Sequence, residues 1–385
     1  MRVLKPDTED QVVEAIHDAR APLILEGRGT KQNLGRTVTA DTVLRLSGLT
    51  GITMYEPDEM VFTARAGTPL AEIEEALAAK GQCLGFEPGN LGKLWNADYG
   101  ASIGGVVAAA VSGPRRFAAG AARDHLLGFT AVNGEGERFK AGGRVVKNVT
   151  GYDLPKLAAG SFGTLFAMTE LTLRAIPRGD TTFLAVQNQD PADALQIMRT
   201  IARSPFEPTG LVHFPASAAA NVAVPRAVTL IRLEGHSEGV AARAAELTRT
   251  IAPRARPLES EVGKKLFRDA ADIHPLFDPA TTLWRISVPP TEAHRTITRL
   301  NPASWFADAA GGILWLAFSE SPHATVIHAA ARDLHGHATL IRKGAGATDD
   351  VFPPLDAATH ALTARIKRAF DPARTLNPGR MYKDI

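Results

Sequence analysis

Cysteine is almost missing from this chain: Cys83 is the only one in 385 residues. A single thiol excludes an intramolecular disulfide. It also excludes a zinc or iron–sulfur site built from several thiolates. Cys83, beside Leu84, reads as a small buried apolar residue. An excess of one charge is missing too. Lys and Arg number 43 against 41 Asp and Glu, a formal net charge of +2. The basic residues are scattered, so nucleic acid is not an expected partner. A membrane-spanning helix needs about 18 consecutive apolar residues, and no such run occurs; VVAAAV at 106–111 is too short. The first residues, MRVLKPDTEDQVVEA, lack the apolar core of a signal peptide. A cytoplasmic protein is therefore expected. Heptads, low-complexity tracts and a short-period repeat are not apparent.

What is present begins with alternating helix and strand signals. Thr8 and Gln11 form a capping-box pattern, and Val12, Val13, Ile16 and Ala19 give the following helix an apolar stripe. Leu23–Leu25 reads as a strand, with others near 42–46 and 61–66. Pro69 opens a second helix, which buries Leu70, Ile73, Ala76 and Leu77 and stops at Gly81. Beyond Ala97 strands are expected to dominate, with Asn133-Gly134-Glu135-Gly136 as a hairpin turn. The strand-like run 165–177 ends at Pro177, and residues 177–180 suggest a boundary. After it, Ala-rich helices near 191–203 and 238–251 alternate with strands at 227–235 and 282–289. That pattern suggests a small antiparallel sheet covered by helices. A last helix is expected near 355–369.

The chemistry lies in glycine-bearing loops. Glycine lets a backbone approach a ligand, and successive N–H groups can then line an anion-binding concavity. The loop Gly27–Gly35 follows a strand but fails the nicotinamide fingerprint, because Gln32 stands where its third glycine belongs. Gly92-Lys93 and Gly263-Lys264 fail the P-loop pattern. The better reading is a tight loop whose Arg28, Gly29, Thr30, Lys31 and Gln32 surround a pyrophosphate. An ordinary β-turn is the alternative. Ser102-Ile103-Gly104-Gly105 forms a second such loop. Lys147-Asn148 with Thr150-Gly151-Tyr152-Asp153, and then Gly160–Leu165, complete the set. Together they suggest a long phosphate-bearing ligand laid across strand ends.

In this order the loops resemble the flavin domain of the vanillyl-alcohol-oxidase (PCMH-type) family, which includes D-lactate dehydrogenases and the FAD-binding subunits of bacterial glycolate oxidase. PLILEGRGTKQNLGR, SIGG, SGPRR, VKNVTGYDL and LWRISVP carry the likeness. It implies an α+β chain: a PCMH-type FAD-binding domain of two α/β subdomains over 1–177, to which the tail 356–385 returns, and a smaller α+β cap with an antiparallel sheet over 180–355. It implies FAD as cofactor. Arg28 to Gln32 match the pyrophosphate loop, and Ser102, Gly104 and Gly105 a second diphosphate contact. Gly113 matches a close approach to the flavin, Gly151, Tyr152 and Asp153 the TGYDL segment, Gly163, Thr164 and Leu165 the adenine end, and Asn377 the closing NPG. Members with covalent flavin carry His where this chain has Thr30, so the FAD is expected to be noncovalent. The family's usual Glu and Gly are replaced by Phe162 and Phe166, and its Tyr-Gly by Ala119-Gly120.

Hydroxyacid oxidation needs a cation for the substrate carboxylate, a base for the hydroxyl proton, and a hydride acceptor. Arg232 and Arg285, both inside apolar strands, are the candidates for the clamp. His335-Gly336-His337 lacks the Asp-Gly-Asn of related metal sites, so no metal is expected. The resemblance implies glycolate or a related 2-hydroxyacid as substrate. It also implies a larger flavin subunit and an iron–sulfur subunit as partners, with peripheral membrane association only through them. Two alternatives stay open: a self-sufficient 2-hydroxyacid dehydrogenase, and a flavin-fold scaffold with little chemistry of its own.

Overall fold

The computed structural model describes residues 1–97, 99–143, 151–187, 190–344 and 350–385. The chain divides into two compact units: 1–111 with 120–177 and 354–385, and 112–119 with 178–353. The short segment 112–119 thus clusters with the second unit, although the sequence around it belongs to the first.

Among the described residues the first unit holds a three-stranded sheet, a five-stranded sheet and a two-stranded ladder. In the three-stranded sheet, Arg2–Leu4 and Leu23–Glu26 flank Thr42–Arg45, all parallel. Thr8 caps the helix Glu9–His17 by accepting from the Gln11 N–H. That helix buries Val12 and Ile16 against Leu23, Leu44, Leu46 and Leu49. Each such side chain contributes about 1.5–3 kcal/mol. The larger sheet is antiparallel, in the order Ile52–Glu56, Val61–Arg65, Phe166–Arg174, Leu126–Asn133, Arg138–Gly142. Phe129 and Phe166 stack with centroids 5.1 Å apart, and Phe139 and Phe370 pack edge-on around Phe166. Phe370 ends the last helix, Ala357–Phe370, so this cluster fixes the C-terminal segment to the sheet. Cys83 is half-buried in a two-residue ladder with Ile176 rather than fully buried. Beyond Ala97 the chain also forms short helices, at Ile103–Ala108, Ala122–His125 and Leu154–Ala158.

The second unit is built on one eight-stranded antiparallel sheet, larger than the sequence pattern suggests. Its chain order is strand–helix–strand–strand–helix–strand, twice over. The first round runs from Asp180 to Leu258, the second from Thr282 to Arg342. The two four-stranded halves meet where Gly210–Phe214 pairs with Ser304–Asp308 at His213 and Ala307. Gly210–Phe214 is buried at every residue, so it lacks the alternation that marks a strand in sequence. Helices Pro191–Ala202, Ser237–Thr250, Ala293–Leu300 and Ala324–Asp333 cover one face, packing on Trp284, Ile286, Leu314, Leu316, Ala338 and Leu340. Strand alternation sends Arg285, Trp315 and Thr339, which are in register, to the other face.

Candidate functional site

A cleft, open to solvent on one side, lies in the first unit. Four stretches far apart in sequence line it: 24–32, 102–109, 162–168 and 377–380. All five predicted loop residues, Arg28 to Gln32, are among the lining. Gly29 has φ +78°, which a side chain would strain. The loop is held from three sides. Arg28 Nε donates to the Gly100 carbonyl at 2.9 Å. Gln32 Nε2 donates to Glu26 Oε2 at 2.6 Å, and Arg45 Nε donates to the other Glu26 oxygen at 2.5 Å. From the tail, Arg380 Nη2 donates to the Lys31 and Gln32 carbonyls at 3.1 and 2.7 Å. Burial lowers Arg380 to about 10, opposed by Glu26.

Two polar groups in the cleft have the chemistry to bind an anion. Among the described residues Lys31 donates to Thr30 Oγ1 alone, at 3.1 Å, and burial lowers its pKa to about 8. No carboxylate pairs with it among the described residues. Ser102 Oγ is buried with no hydrogen-bond partner. A buried hydroxyl of this kind costs about 1–3 kcal/mol unless something satisfies it. Both groups fit the oxygens of a diphosphate. A Cβ added at Gly27 would lie 2.1 Å from Ser102 Oγ, so glycine there makes room for the hydroxyl. At Gly105 a Cβ would meet Ser102 Oγ at 3.2 Å and Lys31 Nζ at 3.8 Å, inside the cleft. Gly104 also lines the cleft, but its missing Cβ serves packing, since Ala66 lies 2.8 Å away.

The far wall is Gly163 and Asn377. Asn377 Oδ1 accepts from the Leu25 N–H at 2.9 Å, and its Nδ2 donates to the Leu25 and Phe162 carbonyls at 3.1 and 2.9 Å. One side chain thus ties the tail to two lining segments. Phe162, Phe166, Met168, Ile24 and Leu25 make this end apolar, as a flat aromatic ring system requires. Gly27 and Arg380 escaped the sequence reading. The arginine directly after NPG was the available signal for the second.

Other expected contacts do not line the cleft. Gly113 clusters with the second unit. Tyr152 is 91% exposed, and Asp153 caps the helix Leu154–Ala158 by accepting from the Lys156 N–H. Gly151 has open space around it, with φ +87°. Thr164 donates its hydroxyl to the Ser161 carbonyl, and Leu165 is core. Lys147, Asn148 and Thr150 lie outside the described residues.

In the second unit the two candidate arginines separate. Arg232 is 2% exposed and fully engaged. It donates to Thr209 O and Oγ1, pairs with Glu234 at 3.7 Å, and covers the Phe267 ring at 4.5 Å. These contacts occupy the guanidinium expected to serve as a substrate clamp. Arg285 lies over Trp315, 5.9 Å from the ring, and its guanidinium makes no hydrogen bond among the described residues. Burial and the nearby Arg116 lower it to about 10, with Asp308 opposing. His337 feels the same cations. Burial first, then Arg285 and Arg116, push its pKa down. Among the described residues no group of three or more His, Cys, Asp or Glu is placed to hold a metal, and no helix is long and apolar enough to cross a membrane.

Residues 1–142 match the FAD-binding domain family. Glycolate oxidase subunit GlcE of Escherichia coli (strain K12) is 34% identical over 98% of this chain and 97% of its own length. A D-lactate dehydrogenase of Archaeoglobus fulgidus is 29% identical over 52% of this chain and 44% of its own. In structure, p-cresol methylhydroxylase with substrate bound aligns with a TM-score of 0.72 at 14% identity, over 99% of this chain and 88% of that one, so the two share the PCMH-type α+β fold. From the full-length likeness and the FAD-binding domain together, the chain belongs to the FAD-linked oxidoreductase family of glycolate oxidase subunit GlcE.

Proposed function

We propose that this chain is the FAD-binding subunit of a glycolate oxidase, acting in the conversion of glycolate or a close 2-hydroxyacid to the 2-oxoacid. FAD, held noncovalently in the cleft of the first unit, supplies the acceptor for the hydride from C2. Arg28, Lys31 and Ser102 hold its diphosphate, while Asn377 and Arg380 keep the surrounding loops in place. Thr30 offers no imidazole for a covalent link to the flavin.

The observation that carries the substrate assignment is Arg285. The guanidinium is half-buried and makes no hydrogen bond among the described residues, and a planar carboxylate suits it through two parallel bonds. Burial that lowers the Arg285 pKa to about 10 leaves it cationic throughout the physiological range.

Electrons must leave through another chain if they leave through thiolate-ligated iron–sulfur clusters, because one cysteine cannot ligate such a cluster. A larger flavin subunit and an iron–sulfur subunit are the partners this reading implies. We place the assembly in the cytoplasm, with any attachment to the inner membrane made through those partners.

The test is anaerobic addition of glycolate, then of D-lactate, to the isolated chain and to the chain with its partners. A yellow chain that stays oxidised alone and bleaches with its partners supports the reading. A yellow chain that bleaches alone indicates a self-sufficient dehydrogenase. A colourless chain within an active complex indicates a scaffold.

A further inference from the structure

Lys367 is a buried cation. Its side chain is 2% exposed, and its partner Asp371 is 0% exposed. The ammonium donates three times: to Thr164 O at 2.5 Å, Leu376 O at 2.8 Å and Asp371 Oδ2 at 2.6 Å. Asp371 in turn accepts from the Thr375 and Leu376 N–H groups, both at 2.8 Å. Gly134 closes the site, since a Cβ there would lie 2.2 Å from Asp371 Oδ1.

Stability alone does not explain this arrangement. Well-packed apolar side chains commonly replace a buried ion pair with no loss. What they cannot do is grip two carbonyls. Those carbonyls belong to Thr164 and Leu376, the immediate neighbours of Gly163 and Asn377, which line the cleft. A single ammonium therefore ties together two stretches of chain some 200 residues apart at the cleft wall.

We propose that Lys367 is a positioning residue for FAD: without touching the cofactor, it sets the spacing of the Gly163 and Asn377 walls, so that flavin affinity depends on the C-terminal helix Ala357–Phe370. This rests on the cleft being the FAD site. Asp371 orients the ammonium and fixes the Leu376 backbone. Asn377 relays the constraint to Leu25 and Phe162 through its amide.

The test compares the wild-type chain with Lys367→Met and with the double variant Lys367→Met/Asp371→Leu. FAD dissociation constants are measured by flavin fluorescence, thermal unfolding is followed on the flavin-free proteins, and amide exchange is followed at 160–166 and 375–380. The wild-type titration comes first; if it shows no FAD binding, the cleft assignment itself fails. With wild-type binding established, the double variant, which strands the Thr164 and Leu376 carbonyls and the Thr375 and Leu376 N–H groups, should melt lower than wild type but still cooperatively, and bind FAD at least about tenfold more weakly below its melting temperature. Exchange should rise at the two wall segments. Should Lys367→Met alone fail to fold, the double variant still decides. A folded double variant with wild-type FAD affinity overturns the proposal.

Discussion

Raising the pH from about 7 to about 9 should weaken FAD binding about tenfold, through one lysine. Burial lowers Lys31 from its usual 10.5 to about 8 in the flavin-free chain. That difference corresponds to roughly 3 kcal/mol of disfavoured charge. A bound diphosphate restores a counter-charge, so the complex keeps the ammonium protonated to higher pH. Below about pH 8 both free and bound forms carry the proton, and affinity is flat. Above it the free chain releases the proton, and binding must take it up again. With a free-state value near 8, about nine-tenths of the chains are charged at pH 7 and about one-tenth at pH 9. Folding of the flavin-free chain has the opposite sign. The unfolded lysine keeps its proton between about 8 and 10.5 while the folded one does not, so stability rises with pH across that window. The assay is fluorescence titration of apoprotein with FAD at several pH values. Lys31→Arg should flatten the profile, because guanidinium stays charged. Lys31→Met should bind about ten- to a hundredfold more weakly at pH 7, the cost of one charge-assisted contact. A wild-type profile that stays flat from pH 7 to 9, with Lys31→Met binding as tightly, would refute the reasoning.

Further outcomes follow from the same geometry. Gly105→Val should fold and lose FAD, because its side chain enters the cleft, whereas Gly104→Val should lose stability first by colliding with Ala66; flavin content and melting temperature separate the two. Arg285→Ala should raise KM for glycolate about tenfold or more with flavin content unchanged, since a charge-assisted bidentate contact is lost; unchanged steady-state kinetics would remove Arg285 from the site. Arg232→Met should lower stability by about 1–3 kcal/mol, the cost of leaving the Thr209 carbonyl without its buried donor, while Glu234 keeps Arg115. Chemical denaturation reads this, and KM should not move in the protein that folds. Asn377→Ala should weaken FAD binding without touching the cofactor, and amide exchange at Leu25 should rise as its N–H loses the Asn377 acceptor.

That the 28–32 loop and Ser102 line one cleft was legible because the signal is local. Gly29 at positive φ, Lys31, and Ser102 beside adjacent glycines show their purpose in a few consecutive residues. The helices at 9–17 and 70–78 were legible from cap and periodicity. What sequence could not show depends on distant partners. Arg232 and Arg285 look alike in their strands, both flanked by apolar residues. Only the sheet register shows that one faces Thr209 and Phe267, the other Trp315. Gly27 looks like any loop glycine until Ser102 arrives opposite it. The repeated β-α-β-β-α-β unit stayed hidden because buried strands such as Gly210–Phe214 and Ile313–Phe318 show no alternation. Gly113 and Tyr152 were placed by resemblance, and neither lines the cleft.

The most direct measurement is the stoichiometry of flavin released on denaturing the purified chain after exposure to excess FAD and removal of the unbound cofactor. One unmodified FAD per wild-type chain, and essentially none from Gly105→Val, is the predicted result. Equal flavin in both proteins, or none in either while the chain is folded, would contradict a dinucleotide held between the Lys31 and Ser102 loops.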